Sequence, residues 1–589
     1  MQFLVEEITI KGSPICRGIA IGKSYFLKRE EIPVTETYLT AKQSRHEIER
    51  YRLALSRCWR EIKSLQKQLE SELASEGVLI LESQLEMLSD PLLTSEIEKK
   101  ILSLHKNAEF VLQQTIVQLK DRCSTIEDPS FSERYRELLD LTQRVLSILH
   151  ENSSYSFNHL PPQSIVCAKE LTATDVAGAN PYFVGAFITE TGGATSHAAI
   201  IAKAKGIPFI TNIKLSTLQE YGENCFIVDG RLGKVIINPG DDVLKSYEKL
   251  KSQMLQQNHD YQKAIHWPSQ TYDGYQVRLY ANLEMTHELE LVHQLGGEGV
   301  GLFRSEYIFF PKNRIPPEEE QYRIYADLVK NMKGRPIVIR TFDFGGDKAS
   351  LPTSFINEKN PFLGSHAARF LLRDEALFKT QLRAILRASE FGNVSILFPM
   401  ISTVLELKEA KRMVLEVCDE LKLKNKIRIG CMIEVPSAAM IVDHFAKECD
   451  FLSIGTNDLV QYSLAVDRRD HQLSEYYEPT DPSIVRLLRL ITSEANKAQI
   501  PVSVCGEIAS DPRFTPLLLG LGIQELSVAP RHLPVIKNAI RNTSIVDAVY
   551  LVERILNMVT AKEIMNLLVE EYRKNVPSDL YYNMNLCHM

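Results

Sequence analysis

The chain has 589 residues with a formal net charge of -7, and 44% of its residues are hydrophobic, which suffices for several globular domains. The acidic balance argues against nucleic acid or an anionic membrane surface as a partner. Neither a signal peptide nor a long uncharged apolar run is present, so we expect a cytoplasmic protein without stable membrane association. Its scattered cysteines, none in a Cys-x-x-Cys pair, indicate neither a disulfide framework nor a zinc site.

Residues 1–37 contain two apolar segments punctuated by glycine and proline, which predict short strands. From 38 to 150 apolar residues recur every three or four positions, and glycine and proline nearly vanish. The remaining breakers divide this stretch into predicted helices near 41–75, 78–89, 92–121 and 131–150. We therefore predict a helical bundle inserted into one α/β domain, which residues 1–37 begin and residues 151–240 complete.

Acidic residues are concentrated in one part of this helical insert, together with a single lysine, Lys67. They are Glu70, Glu72, Glu76, Glu82, Glu86 and Asp90. Two interpretations stay open: a solvated helix face, or a docking surface for a small basic partner, on which the charges would mainly raise the association rate.

The most informative stretch after the insert is Thr191-Gly-Gly-Ala-Thr-Ser-His197, which reads as a strand end, a glycine turn and a helix start. In the first helical turn, backbone N–H groups lack intrahelical partners and the helix dipole favours anions. The two glycines allow close approach of a phosphate, and Thr195 or Ser196 can cap the helix or bind phosphate oxygens. We interpret His197 as a nucleophile that becomes phosphorylated, against the alternative of a capping or packing histidine.

Residues 241–265 predict a connecting helix, and residues 266–575 predict a TIM barrel, followed by a tail at 576–589. Eight apolar segments recur in the barrel, each followed by a helical pattern. They are 277–283, 299–303, 336–340, 394–399, 427–433, 451–454, 502–505 and 525–528. The predicted fold class is α/β and multidomain: a swivelling phosphohistidine domain with an inserted all-α bundle, then a (β/α)8 barrel.

Polar side chains follow these strands at their C-terminal ends, the face where barrel enzymes carry their chemistry. They are Arg304, Arg340, Glu434, Asn457, Asp458 and Cys505, with Arg468 ten residues past Asp458. Two arginines in one pocket would repel each other unless an anion lay between them, and guanidinium groups match carboxylate and phosphate oxygens. Glu434 and Asp458 supply the hard oxygen ligands that suit Mg2+. Such a face suits phosphoryl transfer, whereas unrelated surface salt bridges would not explain the clustering.

Over nearly the entire chain these motifs resemble enzyme I of the phosphoenolpyruvate-dependent sugar phosphotransferase system. The stretch ending at His197 is similar to the phosphohistidine domain that enzyme I shares with pyruvate phosphate dikinase and phosphoenolpyruvate synthase. The barrel resembles the phosphoenolpyruvate-binding barrel of enzyme I through several motifs. They are Gly301-Leu-Phe-Arg-Ser-Glu306, Arg340-Thr-Phe-Asp-Phe-Gly-Gly-Asp-Lys348, Asn360-Pro-Phe-Leu-Gly364, Ile433-Glu-Val-Pro436, Phe451-Leu-Ser-Ile-Gly-Thr-Asn-Asp-Leu459 and Cys505-Gly-Glu507.

The resemblance implies transfer of a phosphoryl group from phosphoenolpyruvate to His197, then to a histidine of HPr, a small phosphocarrier protein, with release of pyruvate. The implied substrate-binding residues are Arg304, Arg340, Lys348, Asn457, Asp458 and Arg468. Glu434 and Asp458 would hold the Mg2+ cofactor, and Cys505 would protonate the enolate carbon. The helical insert would bind HPr, and the barrel would form a homodimer.

Two positions depart from the enzyme I pattern, because Ala194 and His366 stand where arginine is usual. Histidine is positively charged only when it is protonated. We therefore expect His366 to change the substrate affinity or the rate, and not the class of reaction. These departures motivate one alternative, a regulatory phosphocarrier with reduced turnover. A second alternative is an enzyme like pyruvate phosphate dikinase or phosphoenolpyruvate synthase, which would need an ATP-binding domain that the chain has neither the length nor the phosphate loop to supply.

Overall fold

The computed structural model describes residues 7–27, 34–71, 75–123, 129–150, 157–193, 196–222, 224–308, 315–344, 364, 367–423, 426–468, 470 and 473–575. Within these residues, no helix is both long and apolar enough to cross a membrane. The chain forms two compact units, and the boundary between them falls between Met254 and Leu255, inside one long helix.

A mixed sheet forms the centre of the first unit. Its strands are β1 (Ile8–Lys11), β2 (Ser13–Cys16), β3 (Ile19–Phe26), β4 (Ser164–Ala168), β5 (Val184–Thr189), β6 (Phe209–Thr211), β7 (Cys225–Asp229) and β8 (Lys234–Ile237). Among the described residues their order is β1-β8-β7-β3-β4-β5-β6-β2. Pairing is parallel from β3 to β6 and antiparallel elsewhere. β4 and β5 are buried along their whole length, and their sequences are apolar except for the terminal Ser164 and Thr189.

The helical insert lies between β3 and β4. It consists of α1 (Ala41–Ser71), α2 (Ser75–Leu88), α3 (Ser95–Leu104), α4 (Ala108–Cys123) and α5 (Pro129–Leu149). Along α1 the buried residues recur at helical spacing, as at Tyr51, Cys58, Ile62 and Leu69. The amphipathic pattern predicted this buried face correctly at Tyr51, Ile62 and Leu69, whereas Trp59, which the pattern also included, is 42% accessible.

The single helix predicted at 92–121 was wrong, because the structure has two helices there, α3 and α4. His105 ends α3 in the left-handed conformation, with φ of 52°. The Asn107 side chain then bonds the segment before α1, donating to Thr35 O over 3.1 Å and accepting from Thr37 N over 3.0 Å. Neither glycine nor proline marks this break, so the pattern of helix breakers could not reveal it.

Four further helices begin in the first unit: α6 (Ala173–Ala177), α7 (His197–Lys205), α8 (Leu215–Gln219) and α9 (Asp241–Ala264). The helix predicted at 241–265 is therefore present as α9. One hydrophobic core joins α7 to the insert, since Ile201 belongs to the same buried cluster as Ile62 and Leu81. The helix that begins at His197 thus packs directly on the inserted bundle.

The second unit contains a closed barrel of eight parallel strands, counted over the described residues. They are β9 (Arg278–Leu283), β10 (Val300–Arg304), β11 (Ile337–Arg340), β12 (Val394–Phe398), β13 (Arg428–Ile433), β14 (Phe451–Ile454), β15 (Val502–Val504) and β16 (Glu525–Val528). β16 pairs with β9 and closes the barrel. The eight apolar segments coincide with these strands, and the predicted fold class is confirmed.

Helices surround the barrel and cover its strands. They are α10 (Leu289–Gln294), α11 (Glu318–Asn331), α12 (Ala368–Arg373), α13 (Glu375–Ala388), α14 (Val404–Glu420), α15 (Pro436–Met440), α16 (Val442–Ala446), α17 (Thr456–Leu464), α18 (Pro482–Lys497), α19 (Thr515–Gly520), α20 (Leu533–Arg541), α21 (Ile545–Leu556) and α22 (Ala561–Asn575). One hydrophobic core runs between the strands and this helical layer. Because all strands run in the same direction, their C-terminal ends meet at one face of the barrel.

Candidate active site

His197 is the first residue of α7 and is partly exposed, with 27% of its side chain accessible. Ser196 caps the helix, because its Oγ accepts a hydrogen bond from Ala199 N over 3.3 Å. Of the two predicted capping candidates, Ser196 is therefore the cap, whereas Ala194 and Thr195 lie outside the described residues. The backbone donors of this first turn lie at the helix end where an anion is favoured.

The turn before His197 is fixed by two threonines. Gly192 has a φ of +128°, which side chains other than glycine rarely adopt. Thr211 Oγ1 donates to Gly192 O over 3.2 Å and accepts from Thr189 Oγ1 over 3.0 Å. Because Thr189 ends β5 and Thr211 ends β6, both sheet strands hold the turn in place.

The His197 ring contacts a carboxylate of the helical insert. Its Nδ1 lies 2.7 Å from Glu137 Oε1, and the Glu137 side chain is only 10% accessible. Glu137 is on α5, whose buried face also carries Leu141 and Val145. The insert therefore contributes a residue to the histidine site, which we did not predict from the sequence.

Arg304 and Arg340 end the neighbouring strands β10 and β11 and are paired in register. Arg340 is 4% accessible and contacts two buried carboxylates, those of Glu306 and Asp343, the latter over 2.7 Å. Burial lowers the pKa of Arg340, but the surrounding carboxylates outweigh burial and raise this pKa overall. Arg340 is therefore a permanent cation held rigidly at the strand end.

Arg304 lies beside Arg340 and is paired with Glu284, whose Oε1 lies 2.7 Å from its Nη1. The two arginines thus already have carboxylate partners, whereas we expected only an anionic ligand to separate them. Nevertheless the Nε atoms of Arg304 and Arg340 are buried without a hydrogen-bond partner among the described residues. Each guanidinium therefore has one donor that the described protein groups do not satisfy, which is uncommon for a buried polar group.

Glu434 and Asp458 are buried acidic residues at the same barrel face, with accessibilities of 1% and 7%. Glu434 Oε1 accepts from Met400 N over 2.6 Å. Gly455 leaves room for the carboxylate, since a Cβ added there would lie 2.5 Å from Glu434 Oε2. No group of three or more His, Cys, Asp and Glu side chains with metal-site geometry occurs in the described part of the chain. Two carboxylates nevertheless fit a Mg2+ ion that takes its other ligands from substrate and water.

Asn457 is held by the loop that follows β15. Its Nδ2 donates to Glu507 Oε1 over 3.0 Å, and its Oδ1 accepts from Glu507 N over 2.9 Å. Gly506 makes this approach possible, because an added Cβ would lie 1.8 Å from Thr456 Oγ1. Arg468 follows α17 and is half-buried, with its backbone N bonded to Gln461 Oε1 over 3.3 Å. The side chain of Asn457 and the backbone of Arg468 are therefore both held in place by hydrogen bonds near the barrel rim.

Cys505 follows β15 and is 4% accessible. Ser453 Oγ donates to its Sγ over 3.3 Å, and Asn282 Nδ2 donates to its carbonyl oxygen over 3.0 Å. Burial raises the pKa of the Cys505 thiol above its ordinary value, and the nearby arginines only partly oppose this. The thiol therefore carries its proton at neutral pH, as a general acid must.

The structure brings together Arg304, Arg340, Glu434, Asp458 and Cys505. Glu434 and Asp458 raise the pKa of Arg340, and the charges of Arg304, Arg340 and Glu434 act on the Cys505 thiol. His197 belongs to the first unit, and Lys348 and His366 lie outside the described residues. Several supporting residues were not assigned roles from the sequence. They are Glu137, Glu284, Glu306, Asp343, Ser453 and Glu507. Glu306, Asp343 and Glu507 do lie inside the quoted motifs, so their proximity to strand ends was a usable signal.

Three family profiles match consecutive parts of the chain. All three profiles describe phosphoenolpyruvate (PEP)-utilising enzymes. The profile of the N-terminal domain matches residues 11–134, that of the mobile domain matches residues 160–233, and that of the PEP-binding domain matches residues 258–545. The mobile-domain match contains His197, and the PEP-binding match contains the barrel residues described above. The fold and the site therefore define a phosphoenolpyruvate-utilising enzyme.

Similar proteins of known name identify the family within this class of enzymes. A phosphoenolpyruvate-protein phosphotransferase of Listeria innocua is 37% identical over 96% of this chain and 99% of its own length. The proteins of the same name from Bacillus subtilis and Staphylococcus carnosus are 36% and 34% identical, each over 96% of this chain and at least 99% of their own length. The chain belongs to the phosphoenolpyruvate-protein phosphotransferase family, the enzyme I family. It is a phosphoenolpyruvate-dependent phosphotransferase, and the resemblance seen in the motifs is confirmed, while the dikinase alternative is not favoured.

Proposed function

We propose that this enzyme moves a phosphoryl group from phosphoenolpyruvate to His197 and on to a histidine of HPr, releasing pyruvate in the cytoplasm. The observation that carries the proposal is the pair of arginines, Arg304 and Arg340, that lie in register at the C-terminal ends of β10 and β11. They lie on the barrel face that also holds two buried carboxylates and a protonated thiol. Such a face matches a small substrate with phosphate and carboxylate groups.

The barrel residues have different roles in binding the substrate and the metal ion. Arg304, Arg340 and Arg468 bind the phosphate and carboxylate, with Lys348 as a further cation, and Asn457 contacts the phosphate. Glu434 and Asp458 would hold Mg2+, which when bound neutralises charge on the phosphoryl and carboxylate oxygens. Asn457 is pinned by Glu507, so its amide is held in a fixed orientation.

The reaction moves one phosphoryl group and one proton. A lone pair on the His197 ring forms the new N–P bond, the bond between phosphorus and the enol oxygen breaks, and the electron pair stays on the enolate. The Cys505 thiol then gives its proton to the methylene carbon, which completes pyruvate. The helix start at His197 stabilises the negative charge of the phosphohistidine, which passes to HPr in the second half of the reaction.

Replacing Cys505 with serine should slow pyruvate formation by about 10²- to 10⁴-fold, because a serine hydroxyl is a far weaker acid than a thiol. Because burial raises the pKa of the Cys505 thiol, the native rate should stay high into mildly alkaline pH. It should fall only at a pH above the ordinary range of cysteine, when the thiol finally ionises. A pH–rate profile of pyruvate release checks both points, and a rate loss at neutral pH in the native enzyme would contradict them.

Replacing Gly455 with alanine should raise the Mg2+ concentration needed for half-maximal rate by about tenfold, because the new Cβ displaces the Glu434 carboxylate. Gly455 has a φ of -86°, so alanine causes no backbone strain. Gly299→Ala is the matched control, since its Cβ would lie 2.8 Å from Pro336 O at the opposite end of the barrel. Titration of activity with Mg2+ should separate the two variants, and identical curves would argue against Glu434 as a ligand.

The helical insert is the proposed docking domain for HPr. Glu82 and Glu86 lie one turn apart on α2, and both they and Asp90 are exposed. The side chains of Glu72 and Glu76 lie outside the described residues. Exposed carboxylates on this surface would attract a basic carrier and raise its association rate.

One imidazole must meet two partners, so the phosphohistidine domain swings between barrel and acceptor. The first half of α9 is anchored to that domain, because Lys251 Nζ donates to Gln163 Oε1 over 2.9 Å. Burial and the adjacent Asp229 carboxylate also raise the pKa of Tyr247 to about 12. We therefore place the hinge after Lys251, near the unit boundary at Met254. We also propose a homodimer formed through the barrel.

Incubation with 32P-labelled phosphoenolpyruvate, with and without HPr and with and without ATP, tests the proposed function. We expect label on His197 without ATP, and its movement to HPr when HPr is added. Labelling that requires ATP would indicate a dikinase instead. No label under any condition would indicate a regulatory protein without turnover.

A further inference from the structure

We propose that Glu137 is a positioning residue for His197, which holds the ring with its hydrogen on Nδ1 and leaves Nε2 to take the phosphoryl group. The inference rests on the proposed role of His197 as the phosphorylated residue. It makes the helical insert part of the histidine site as well as the proposed docking domain.

The contact between Glu137 and His197 is close and partly buried. Glu137 Oε1 lies 2.7 Å from His197 Nδ1, with side-chain accessibilities of 10% for the glutamate and 27% for the histidine. Glu137 stands on the buried face of α5, where Leu141 and Val145 are 1% and 2% accessible. A carboxylate on such a face is costly unless it is paired, and His197 supplies the pairing.

Both ends of the pair are held by their surroundings. The Ser196 cap and the buried Ala198 and Ala199 fix the start of α7. The shared core, to which Ile201 belongs, keeps α7 packed against the helical insert. The imidazole is therefore oriented by more than its own rotamer preference.

The chemistry of the Glu137–His197 pair determines which ring nitrogen carries the hydrogen. An ionised carboxylate only accepts hydrogen bonds, so Nδ1 must carry the hydrogen whether the ring is neutral or protonated. In the neutral ring the lone pair then lies on Nε2. A phosphoryl group on Nδ1 would instead meet the Glu137 carboxylate and be repelled.

The step balances with this assignment. The Nε2 lone pair forms the N–P bond while the bond between phosphorus and the enol oxygen breaks. The leaving electron pair stays on the enolate oxygen. Nδ1 keeps its hydrogen throughout, so Glu137 neither gains nor loses a proton and acts only through the ring that it orients.

The test compares the full-length chain with its Glu137→Ala and Glu137→Gln variants after labelling the histidine rings with 15N. The wild-type His197 signal, identified by its loss in His197→Ala, should show hydrogen on Nδ1. Glu137→Ala should lose this form, and Glu137→Gln should partly restore it because an amide oxygen also accepts a hydrogen bond. Single-turnover phosphorylation by phosphoenolpyruvate should slow about 10- to 100-fold in Glu137→Ala, with the KM for phosphoenolpyruvate unchanged.

Glu109→Ala is the matched control, because Glu109 is another buried carboxylate of the insert, 5% accessible and paired with Arg50. It should leave the tautomer and rate of His197 as in the wild type. A wild-type tautomer and rate in Glu137→Ala would overturn the proposal, and so would equal slowing in Glu109→Ala. If the wild type took no label at all, the proposed function would fail, while the 15N spectra would still decide the role of Glu137.

Discussion

Replacing His197 with alanine is expected to abolish both labelling of the enzyme by phosphoenolpyruvate and labelling of HPr. The side chain is the only proposed acceptor of the first transfer, so its removal eliminates the covalent intermediate. Loss of a nucleophile of this kind lowers the rate by about 10⁶-fold. The measurement is the rate of pyruvate release in the presence of HPr, followed together with acid-labile label on the protein.

The fold should survive this change. His197 is partly exposed at a helix start, and the capping bond comes from Ser196. His150→Ala is a suitable control, since this exposed histidine follows α5 and lies outside the proposed site. Labelling of the His197→Ala variant at the wild-type rate would mean that another residue is the acceptor.

Replacing Arg340 with lysine is expected to lower the rate of phosphorylation by about 10²- to 10³-fold. Lysine keeps the positive charge, but it has a single ammonium group. This group cannot replace the separate guanidinium nitrogens of Arg340 that contact Glu306 and Asp343 and also donate to the substrate. The loss should appear in both kcat and KM for phosphoenolpyruvate, because in its proposed role Arg340 binds the substrate and stabilises the charge that develops on it. Arg340→Ala should also destabilise the barrel by about 3–5 kcal/mol, since two buried carboxylates would lose their cation.

Arg278→Lys provides the comparison for this substitution. Arg278 begins β9 at the opposite end of the barrel and pairs with Glu525, and 59% of the arginine side chain is accessible. Its replacement should change neither the activity nor the unfolding midpoint noticeably. Equal activity in Arg340→Lys and the wild type would contradict the anion-binding role of the β11 strand end.

The fold could be predicted largely from the sequence because its periodicities are strong. Most strands of the barrel are largely buried, so they read as short apolar runs, and the helix α1 shows three-and-four spacing. The break between α3 and α4 could not be predicted, because it depends on hydrogen bonds from Asn107 to a segment that precedes α1. Such a contact is determined by tertiary structure.

The site could be predicted where residues follow strands. Arg304, Arg340 and Cys505 were found because parallel strands bring their ends to one face. Glu137 could not be found in this way, since it stands in the middle of a helix that reaches His197 only in the folded protein. Its sequence signal was a glutamate on the apolar stripe of α5, four residues before the buried Leu141. A charge at such a position indicates a buried partner but does not identify it.

The most direct test of the central claim is a chase of the isolated labelled enzyme. Once phosphorylated by phosphoenolpyruvate and freed of it, the enzyme should transfer its label to HPr when HPr is added. With pyruvate and Mg2+ added instead, it should return the label to phosphoenolpyruvate, since one phosphohistidine at position 197 serves both partners. Label that moved to neither acceptor, or that lay on a residue other than His197, would contradict the account.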